Sequence, residues 1–487
     1  MNKFNESILQ KNFLTKIFII LSLLIIFELN GYNRIFFSLS SDELFSVGIA
    51  THILENGIFP IEFKYLSQLS LNDTFLTWKA ADQSPILYEI ILAFWLRIFG
   101  DSDTNAKLLS LSFYFISIVI SNKYVLQNES IKFKIAFLGF ILFTPVIFIY
   151  ATEARTYMMV FMLSIILLYQ LKQTILSNGL YLKNNKNLIF NILVMLCMSF
   201  SHYYGFILTM ILLLINIYIV SIKRIFQKQY FLYLFIPISI ILYIVFFNKF
   251  GIEYASSGKL AWSANLSFSN IVEVIFQSLY GLIGTTILVT ILITFFIISK
   301  AKDSFFKITS FVFFIYTMIY LVLTFKNGTY HIRHYIFILP FIFYSLSYIA
   351  SQYYQVLILI FIILGVNLIN LFTKSSVFVA NEDYRSAGEF VSKEFQTLHG
   401  KTAIVTTWCP NESLYYYYLK NTIPKDKIIC INTIDDFKKK KELLNDGFII
   451  ESHSSHQSLI KLIQKNNDFF CTSEAFENIN VNVCRKQ

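Results

Sequence analysis

Charged residues are scarce in this chain: they make up 14% of its 487 residues, whereas soluble domains carry about 25%. Seven prolines and 16 glycines are too few for a collagen-like or low-complexity protein. The 52 phenylalanines and 30 tyrosines also exclude a disordered chain, which has few aromatic residues. With 56% hydrophobic residues and a mean hydropathy of +0.59, the composition predicts a polytopic membrane protein.

The net charge of +10 is unevenly distributed. Residues 1–373 hold 25 Lys and Arg against 16 Asp and Glu, whereas residues 374–487 hold 15 against 14. The excess basic residues recur in small groups between hydrophobic runs, which is the positive-inside pattern of membrane proteins. A nucleic-acid-binding protein would cluster its basic residues on one folded face. We therefore predict no nucleic-acid partner.

Apolar runs long enough to cross the hydrocarbon core as helices need about 20 residues. The sequence predicts about eleven such helices, near 17–37, 104–126, 134–150, 156–171, 188–201, 204–221, 230–247, 277–299, 308–325, 335–350 and 354–372. The runs 156–171 and 188–201 are short, so we expect these two helices to extend into their flanks. The first run is long and no small-residue cleavage site follows it, which favours an uncleaved helix over a signal peptide.

The segment Ser84–Gly100 is apolar but short, and it contains Glu89 and Arg97. We predict an amphipathic helix lying in the membrane interface. With this segment excluded from the spans, one side of the membrane receives the N-terminus and the basic loops at 123–134, 172–186, 223–228 and 300–307. That side is then the cytoplasm. The first loop (about 38–103) and the tail are on the outer side.

The tail has a different composition and predicts a separate domain. We expect a transmembrane domain at 1–372, including the outer loop 38–103, and an extracytoplasmic α/β domain at 373–487. Within the tail, strands are predicted at 401–407, 427–432 and 447–451 and a helix at 389–398. Its four cysteines indicate two disulfides, with three pairings open: Cys409, Cys430, Cys471 and Cys484. Cys197 lies in a span, where we expect it to pack.

Polar residues gather at the predicted outer ends of the helices. Charges within membrane segments are costly and usually mark a cavity, a partner or a functional site. The residues of this group are Asp42 and Glu43 after the first span, Asp82, Glu153 and Arg155 in YATEARTY, His202, Tyr203 and Tyr204 in SHYYG, and His331, Arg333 and His334 in YHIRHY.

Each of these features also has a structural interpretation. Asp42 and Glu43 follow Ser41 at the start of an amphipathic stretch, so they could cap a helix. Glu153 and Arg155 could form a structural ion pair, His202 could belong to an interfacial aromatic belt, and Arg333 could anchor a helix end. Asp101-Ser102-Asp103 stands where the next span needs an N-cap. The sequence contains no Gly-rich phosphate loop, no metal-ligand spacing and no nucleophile elbow.

Taken in order, these motifs resemble the polyprenyl-phosphate-sugar-dependent glycosyltransferases of the GT-C fold. Asp42-Glu43 resembles their acidic pair, and ADQSPILYEIILAFWLRIFGDSDTNAKLLSLSF (81–113) resembles their first-loop segment. YATEARTY and SHYYG resemble the Y..EAR.Y and HYYG patterns of the bacterial branch. RHYIFILPFIFYSLSYIA (333–350) and DYRSAGEFV (383–391) resemble two later elements. The family includes protein O-mannosyltransferases, lipid A aminoarabinose transferases and lipopolysaccharide-core galacturonosyltransferases.

The resemblance implies sugar transfer from a polyprenyl phosphate to a cell-envelope glycolipid, glycan or protein acceptor, with inversion, in a bacterial cytoplasmic membrane. It implies Asp42 as catalytic base, with Glu43 orienting it or the acceptor. Arg155 and Arg333 are the implied phosphate ligands. Further candidates for binding the carrier or sugar are Asp82, Lys107, Glu153, His202, Tyr203 and His331. No cofactor is expected, since the lipid-linked sugar donor is a substrate, and a metal requirement stays open. Membrane lipids are expected partners.

The sequence departs from the family pattern at three positions. Ile86 replaces the second residue of a proline pair, Lys107 stands where arginine is frequent, and Gln83 stands where some branches have a phosphate-binding lysine. Gln83 argues against the aminoarabinose branch. The sugar, the acceptor and the oligomeric state stay open.

Two other functions are compatible with a polytopic chain. A transporter or lipid flippase would show Gly- or Pro-broken helices in matching halves and charges near mid-membrane, and Pro145, Pro237 and Pro340 form no such pairs. A noncatalytic membrane scaffold is the second alternative, and only an assay separates it from an enzyme.

Overall fold

The computed structural model describes residues 39–56, 85–223, 228–247, 303–327, 332–353, 355, 358, 365, 383–398, 403–406, 418–419, 422–424, 427–430, 447–453, 469–476 and 479–486. The chain forms two compact units. The first unit comprises Met1–Arg34, Gln83–Tyr88 and Lys107–Thr373. The second comprises Ile35–Asp82, Glu89–Ala106 and Lys374–Gln487. The second unit thus combines the tail with most of the loop that the sequence analysis assigned to the membrane domain.

The described helices are α1 Ser41–Asn56, α2 Leu87–Phe99, α3 Asp103–Ile120, α4 Ile131–Phe143, α5 Pro145–Ala151, α6 Tyr157–Leu176, α7 Leu180–Lys183, α8 Asn185–Ser201, α9 Tyr203–Ile222, α10 Phe235–Phe247, α11 Ser304–Asn327, α12 Leu339–Gln352 and α13 Tyr384–Thr397. A π-helical turn, Ser121–Val125, extends α3. Two 3₁₀ segments, Lys228–Leu234 and Ile332–Tyr335, precede α10 and α12.

Three stretches of the described chain are long and apolar enough to cross a membrane: Asp103–Val125, Tyr157–Leu176 and Tyr203–Ile222. Asn185–Ser201, Lys228–Ile244 and Ser304–Tyr320 are shorter apolar helices. The expected extension of the runs 156–171 and 188–201 is confirmed by the bounds of α6 and α8. The predicted spans 17–37 and 277–299, and nearly all of 354–372, lie outside the described residues.

The predicted single helix over 134–150 is wrong, because the structure divides it into α4 and α5. Thr144 separates the two helices in an extended conformation, with ψ at 114°. Pro145 follows as the first residue of α5. A proline has no N–H to continue the hydrogen bonds of α4, and it disfavours helical geometry in the residue before it. Thr144 Oγ1 instead donates to the carbonyl of Phe140 at 2.6 Å.

Polar side chains join the helices of the first unit. Asn191 on α8 donates to Gln170 on α6 at 2.8 Å and accepts from the Tyr233 hydroxyl at 2.7 Å. Ser164 on α6 donates to the carbonyl of Phe337 at 2.6 Å. Hydrogen bonds of this kind hold helices together in an apolar environment, where hydrophobic association is weak.

Lys172 is a second correction. It was predicted to lie in a basic loop at 172–186, but it lies within α6 and its side chain is 8% exposed. Its ammonium group is 2.5 Å from a carboxylate oxygen of Glu129 and 2.8 Å from the carbonyl of Val125. The Tyr344 hydroxyl donates to the same carboxylate at 2.9 Å. We call Lys172, Glu129 and Tyr344 the Lys172 cluster.

In the second unit, the tail forms a five-stranded sheet with strand order β2-β1-β3-β5-β4. Its strands are β1 Ala403–Thr406, β2 Ile428–Cys430, β3 Gly447–His453, β4 Phe469–Phe476 and β5 Ile479–Lys486. The first three strands pair in parallel and correspond to the three predicted strands, while the β4–β5 hairpin, which the sequence did not predict, adds antiparallel strands. Helix α13 packs on the sheet through Ala387, Val391 and Phe395, which are buried.

One of the expected disulfides is present. Cys471 and Cys484 lie opposite each other on β4 and β5 and are bonded. Cys409 lies outside the described residues, and the side chain of Cys430 is not described, so the second pairing stays a prediction. Cys197 is a free thiol in α8.

Helix α2 has a buried face and an exposed face, with apolar residues on both, so its amphipathic character stays a prediction. Leu92, Ala93 and Leu96 are buried, whereas Ile98 and Phe99 are 73% and 54% exposed. At 1.5 Å per residue a helix of this length spans about 20 Å, well short of the hydrocarbon core. Its location in the membrane interface stays a prediction.

Candidate functional site

Arg155 lies in the short turn that joins α5 to α6 in the first unit. Its side chain is buried, and its Cζ lies 5.9 Å from the centre of the Tyr157 ring. The turn is fixed on both sides. The Ser110 hydroxyl donates to the carbonyl of Arg155 at 3.2 Å, and the Thr156 hydroxyl donates to the carbonyl of Ser201 at 3.3 Å.

His202 lies directly before α9 and is the second component of the site. It is the N-cap residue of α9, where its Nδ1 accepts a hydrogen bond from the Tyr204 amide at 3.2 Å. Its ring lies 6.1 Å from that of Tyr157 and 5.5 Å from that of His334. The close approach of α9 to α8 requires Gly205, since a Cβ there would lie 2.6 Å from the carbonyl oxygen of Met198. The SHYYG motif is thus a capped helix start packed tightly on the preceding helix.

The 3₁₀ segment Ile332–Tyr335 contributes Arg333 and His334. The Cζ of Arg333 lies 5.8 Å from the centre of the Tyr157 ring. The His334 ring stacks on Tyr204 at 4.1 Å, and the Tyr316 hydroxyl donates to the His334 carbonyl at 2.7 Å. We call Arg155, Tyr157, His202, Tyr204, Arg333 and His334 the Tyr157 cluster.

The Tyr157 cluster places two guanidinium groups beside one aromatic ring. A guanidinium near an aromatic face is attracted by the ring quadrupole, and it offers forked donors that match the oxygens of a phosphate. Residues from three separate motifs, YATEARTY, SHYYG and YHIRHY, therefore form one cluster within the first unit.

The other predicted residues of the first unit have varied environments. Lys107 is buried in the second turn of α3, while Glu153 and Tyr203 are half-buried. His331 lies outside the described residues. The roles proposed for these four residues stay predictions.

Three members of the Tyr157 cluster received no site role from the sequence: Tyr157, Tyr204 and His334. Each belongs to a motif that had been singled out, but each was passed over for a neighbour. Tyr157 ends YATEARTY, Tyr204 follows Tyr203, and His334 follows Arg333. An aromatic residue directly beside a candidate cation was the available signal.

In the second unit, Glu43 closes a capping box at the start of α1. Its carboxylate accepts from the Ser40 amide at 2.8 Å and from the Ser40 hydroxyl at 3.0 Å, and Ser40 Oγ accepts from the Glu43 amide at 3.4 Å. This reciprocal pair satisfies donors at a helix start. Glu43 is 2% exposed. The hydrogen bonds of its carboxylate with Ser40 agree with the capping interpretation.

Asp42 is the second residue of α1, and its side chain is not among those described. Asp82 lies outside the described residues. For Asp42 the structure therefore gives only the position at the start of α1, and the role of its carboxylate as base stays a prediction. Successive residues of a helix point about 100° apart, so we do not expect Asp42 and Glu43 to do the same task.

The sequence Asp101-Ser102-Asp103 caps α3, as predicted. The Ser102 hydroxyl accepts from the Asn105 amide at 3.2 Å. Asp103 has a second role, since its Oδ2 accepts from Arg385 at 2.5 Å and from the Tyr418 hydroxyl at 2.9 Å. Within the part of the chain that the structure describes, no group of three His, Cys, Asp or Glu residues could hold a metal ion.

Comparison with known proteins gives one kind of match. No family model matches the sequence, and no curated protein matches it. Among solved structures, the crystal structure of ArnT from Cupriavidus metallidurans in the apo state is similar with a TM-score of 0.54 and 9% identity, covering 96% of this chain and 97% of that one. The structure of the same protein bound to undecaprenyl phosphate gives a TM-score of 0.53, with the same identity and coverage.

ArnT is a lipid A aminoarabinose transferase with a GT-C fold. Identity this low shows a shared fold and leaves function to be argued from the site. The likeness covers nearly all of both chains, and apolar helices make up the first unit. This chain is therefore an integral membrane protein with the helical GT-C fold that the order of its motifs predicted.

Proposed function

We propose that this protein is a membrane glycosyltransferase that moves a sugar from a polyprenyl phosphate to an acceptor hydroxyl. The observation that carries this proposal is the pair Arg155 and Arg333, with each Cζ less than 6 Å from the Tyr157 ring centre. Two fixed guanidinium groups suit a phosphate that gains negative charge as it leaves. The similar ArnT structure that contains undecaprenyl phosphate supports a carrier of this class.

The reaction is a single displacement. The carboxylate of Asp42 accepts the proton of the acceptor hydroxyl while that oxygen bonds to the anomeric carbon of the sugar. The bond between the anomeric carbon and the phosphate oxygen breaks, and its electron pair leaves with the polyprenyl phosphate. Attack from the side opposite the leaving group inverts the anomeric centre. Arg155 and Arg333 stabilise the departing phosphate, and Glu43 keeps the first turn of α1 in place.

The acceptor class is a cell-envelope glycolipid, glycan or protein. We propose that transfer occurs on the outer face of a bacterial cytoplasmic membrane, with the N-terminus in the cytoplasm and the C-terminal α/β domain outside. Reporter fusions at Gln127 and Asn184 are expected to report the cytoplasm, and a fusion at Asn411 the outside. A fusion at Asn184 that reports the outside would contradict this orientation.

Mass spectrometry of envelope glycolipids and glycoproteins, with and without the protein, tests the function. We expect one sugar to be missing from one class of molecule in its absence, and the mass difference identifies donor and acceptor together. A flippase is the alternative. Its loss would deplete every product made from its lipid-linked substrate. Loss of several unrelated glycans, restored by an Asp42→Asn variant, would contradict the proposed transferase.

A further inference from the structure

The hydroxyl of Tyr418 joins two distant parts of the second unit. It accepts a hydrogen bond from the Leu39 amide at 3.0 Å and donates one to Oδ2 of Asp103 at 2.9 Å. Leu39 is fully buried and lies two residues before the start of α1. A single phenol therefore holds the entry to α1 against the capped start of α3.

Arg385 fixes the acceptor of this pair. Its Nη2 donates to the same Oδ2 of Asp103 at 2.5 Å, and Asp103 is 5% exposed. Burial lowers the pKa of the Arg385 guanidinium, but the hydrogen bond and charge of Asp103 outweigh this effect and raise the pKa above its ordinary value. Arg385 thus stays charged and keeps the Asp103 carboxylate oriented towards Tyr418.

The backbone end of the Tyr418 side chain packs closely on α13 at Gly388. A Cβ at Gly388 would lie 3.0 Å from the Cβ of Tyr418, a tight contact, so glycine at this position favours the close packing of α13 on Tyr418. Asp383 caps α13 by accepting from the Ser386 amide at 3.1 Å. The DYRSAGEFV motif therefore caps a helix, supplies Arg385 and leaves room for Tyr418.

We infer that Tyr418, oriented by Asp103 and Arg385, is a positioning residue that fixes the start of α1 and thereby the place of Asp42. This inference rests on the proposed function, in which Asp42 is the base. Asp42 lies three residues beyond Leu39. Loss of the hydrogen bond between the Leu39 amide and Tyr418 therefore frees the segment that leads into the first turn of α1, which contains Asp42. A displacement of about 1 Å in a catalytic group can cost about 100-fold in rate.

Tyr418→Phe is the direct test, because it removes both hydrogen bonds and keeps the ring. Three quantities are measured: hydrogen exchange at the Leu39 amide, binding of undecaprenyl phosphate by native mass spectrometry, and the rate of formation of the glycan identified by envelope mass spectrometry. We expect faster exchange at Leu39, carrier binding within about twofold of wild type, and a transfer rate lower by about tenfold or more. A merely destabilised protein would lose carrier binding and activity together.

Ser392→Ala is the matched control. It removes a hydroxyl from the same helix, α13, where Ser392 shares a 2.9 Å hydrogen bond with Thr422. We expect the wild-type exchange at Leu39 and the wild-type transfer rate. If Tyr418→Phe does not express, Arg385→Gln decides instead, since it weakens the hold on Asp103 through a side chain that is 42% exposed. Its transfer rate is expected to fall in the same direction by a smaller factor.

Measuring Asp42→Asn alongside distinguishes failure of the positioning role of Tyr418 from failure of the proposed function. A wild-type transfer rate in Tyr418→Phe, or in Arg385→Gln where that variant replaces it, overturns the positioning role. The proposed function still stands in that case if Asp42→Asn is inactive. An active Asp42→Asn protein overturns the base assignment, and with it any role of Tyr418 in placing that base. Slow exchange at Leu39 in Tyr418→Phe likewise overturns the inference, because the hydrogen bond would then not hold the segment.

Discussion

Two clusters in the first unit each contain a buried cation, Lys172 in one and Arg155 in the other, and the contacts of the two cations differ. In the Lys172 cluster, the ammonium lies 2.5 Å from a carboxylate oxygen of Glu129 and bonds the Val125 carbonyl. In the Tyr157 cluster, Arg155 and Arg333 both lie beside one aromatic ring. An ion pair between protein groups is stabilised within the fold itself, whereas forked guanidinium groups beside an aromatic ring suit an anionic ligand. The comparison predicts that the first cluster serves stability and the second serves binding.

The largest effect is expected from breaking the Lys172 cluster. Lys172→Met leaves the Glu129 carboxylate without its ammonium partner, and breaking a buried ion pair costs about 3–5 kcal/mol. We expect a large loss of thermal stability in detergent, with carrier binding retained at low temperature. Lys186→Met is the control, since Lys186 is exposed and its loss changes little. Equal stability of the two variants would contradict the structural role of Lys172.

In the Tyr157 cluster, we expect carrier binding to depend on the forked shape of the arginine side chains and not only on their charge. Arg155→Lys and Arg333→Lys keep the charge and lose the forked donors. Each should weaken undecaprenyl phosphate binding and transfer by about tenfold or more, because a charge-assisted hydrogen bond contributes about 1.5–3 kcal/mol. Native mass spectrometry measures the binding, and thermal unfolding should stay near wild type. Arg97→Lys, at an exposed position of α2, is the matched control.

If both variants bind carrier and transfer sugar as well as Arg97→Lys does, the two arginines are not phosphate ligands. If they instead unfold like Lys172→Met, the Tyr157 cluster is structural, and the contrast between the two clusters disappears.

A smaller effect is expected at Thr156, which joins the Arg155 turn to the end of α8. Thr156→Val removes the hydrogen bond to the Ser201 carbonyl at a similar side-chain volume, and such a bond contributes about 1 kcal/mol. Thermal unfolding should show this small loss, together with a modest decrease in carrier affinity. Ser112→Ala, which removes a bond within α3, should lower stability without changing affinity. Equal affinity in both variants would separate the Thr156 bond from carrier binding.

Local patterns in the sequence predicted most of the helices that the structure describes in the first unit, because membrane spans depend on long apolar runs. The main error lies at Thr144–Pro145, where a proline inside one apolar run starts a new helix. The parallel strands of the tail were also predicted, since each is a short apolar run. The β4–β5 hairpin was not predicted, because Phe469–Phe476 and Ile479–Lys486 contain many polar residues.

Pairings between distant residues could not be predicted. Lys172 and Glu129 are 43 residues apart, and Arg385 and Asp103 are 282 apart. No local pattern distinguishes these residues from ordinary loop charges or helix caps. For the same reason, only part of the candidate site could be predicted. The motifs identified Arg155, His202 and Arg333, while the stacking of His334 on Tyr204 depends on how the 3₁₀ segment Ile332–Tyr335 packs on α9.

The central claim is that Asp42 is the base of a sugar transfer from a polyprenyl phosphate. Asp42→Asn keeps the shape and the helix-start position of the residue and removes its basicity. Losing a general base typically costs about 10²–10⁴ in rate, whereas losing a cap costs about 1 kcal/mol of stability. The decisive measurement is envelope mass spectrometry of cells that express only Asp42→Asn, together with native mass spectrometry of its carrier binding. We expect a missing sugar with normal expression and normal undecaprenyl phosphate binding, and wild-type glycosylation would show that Asp42 is not the base.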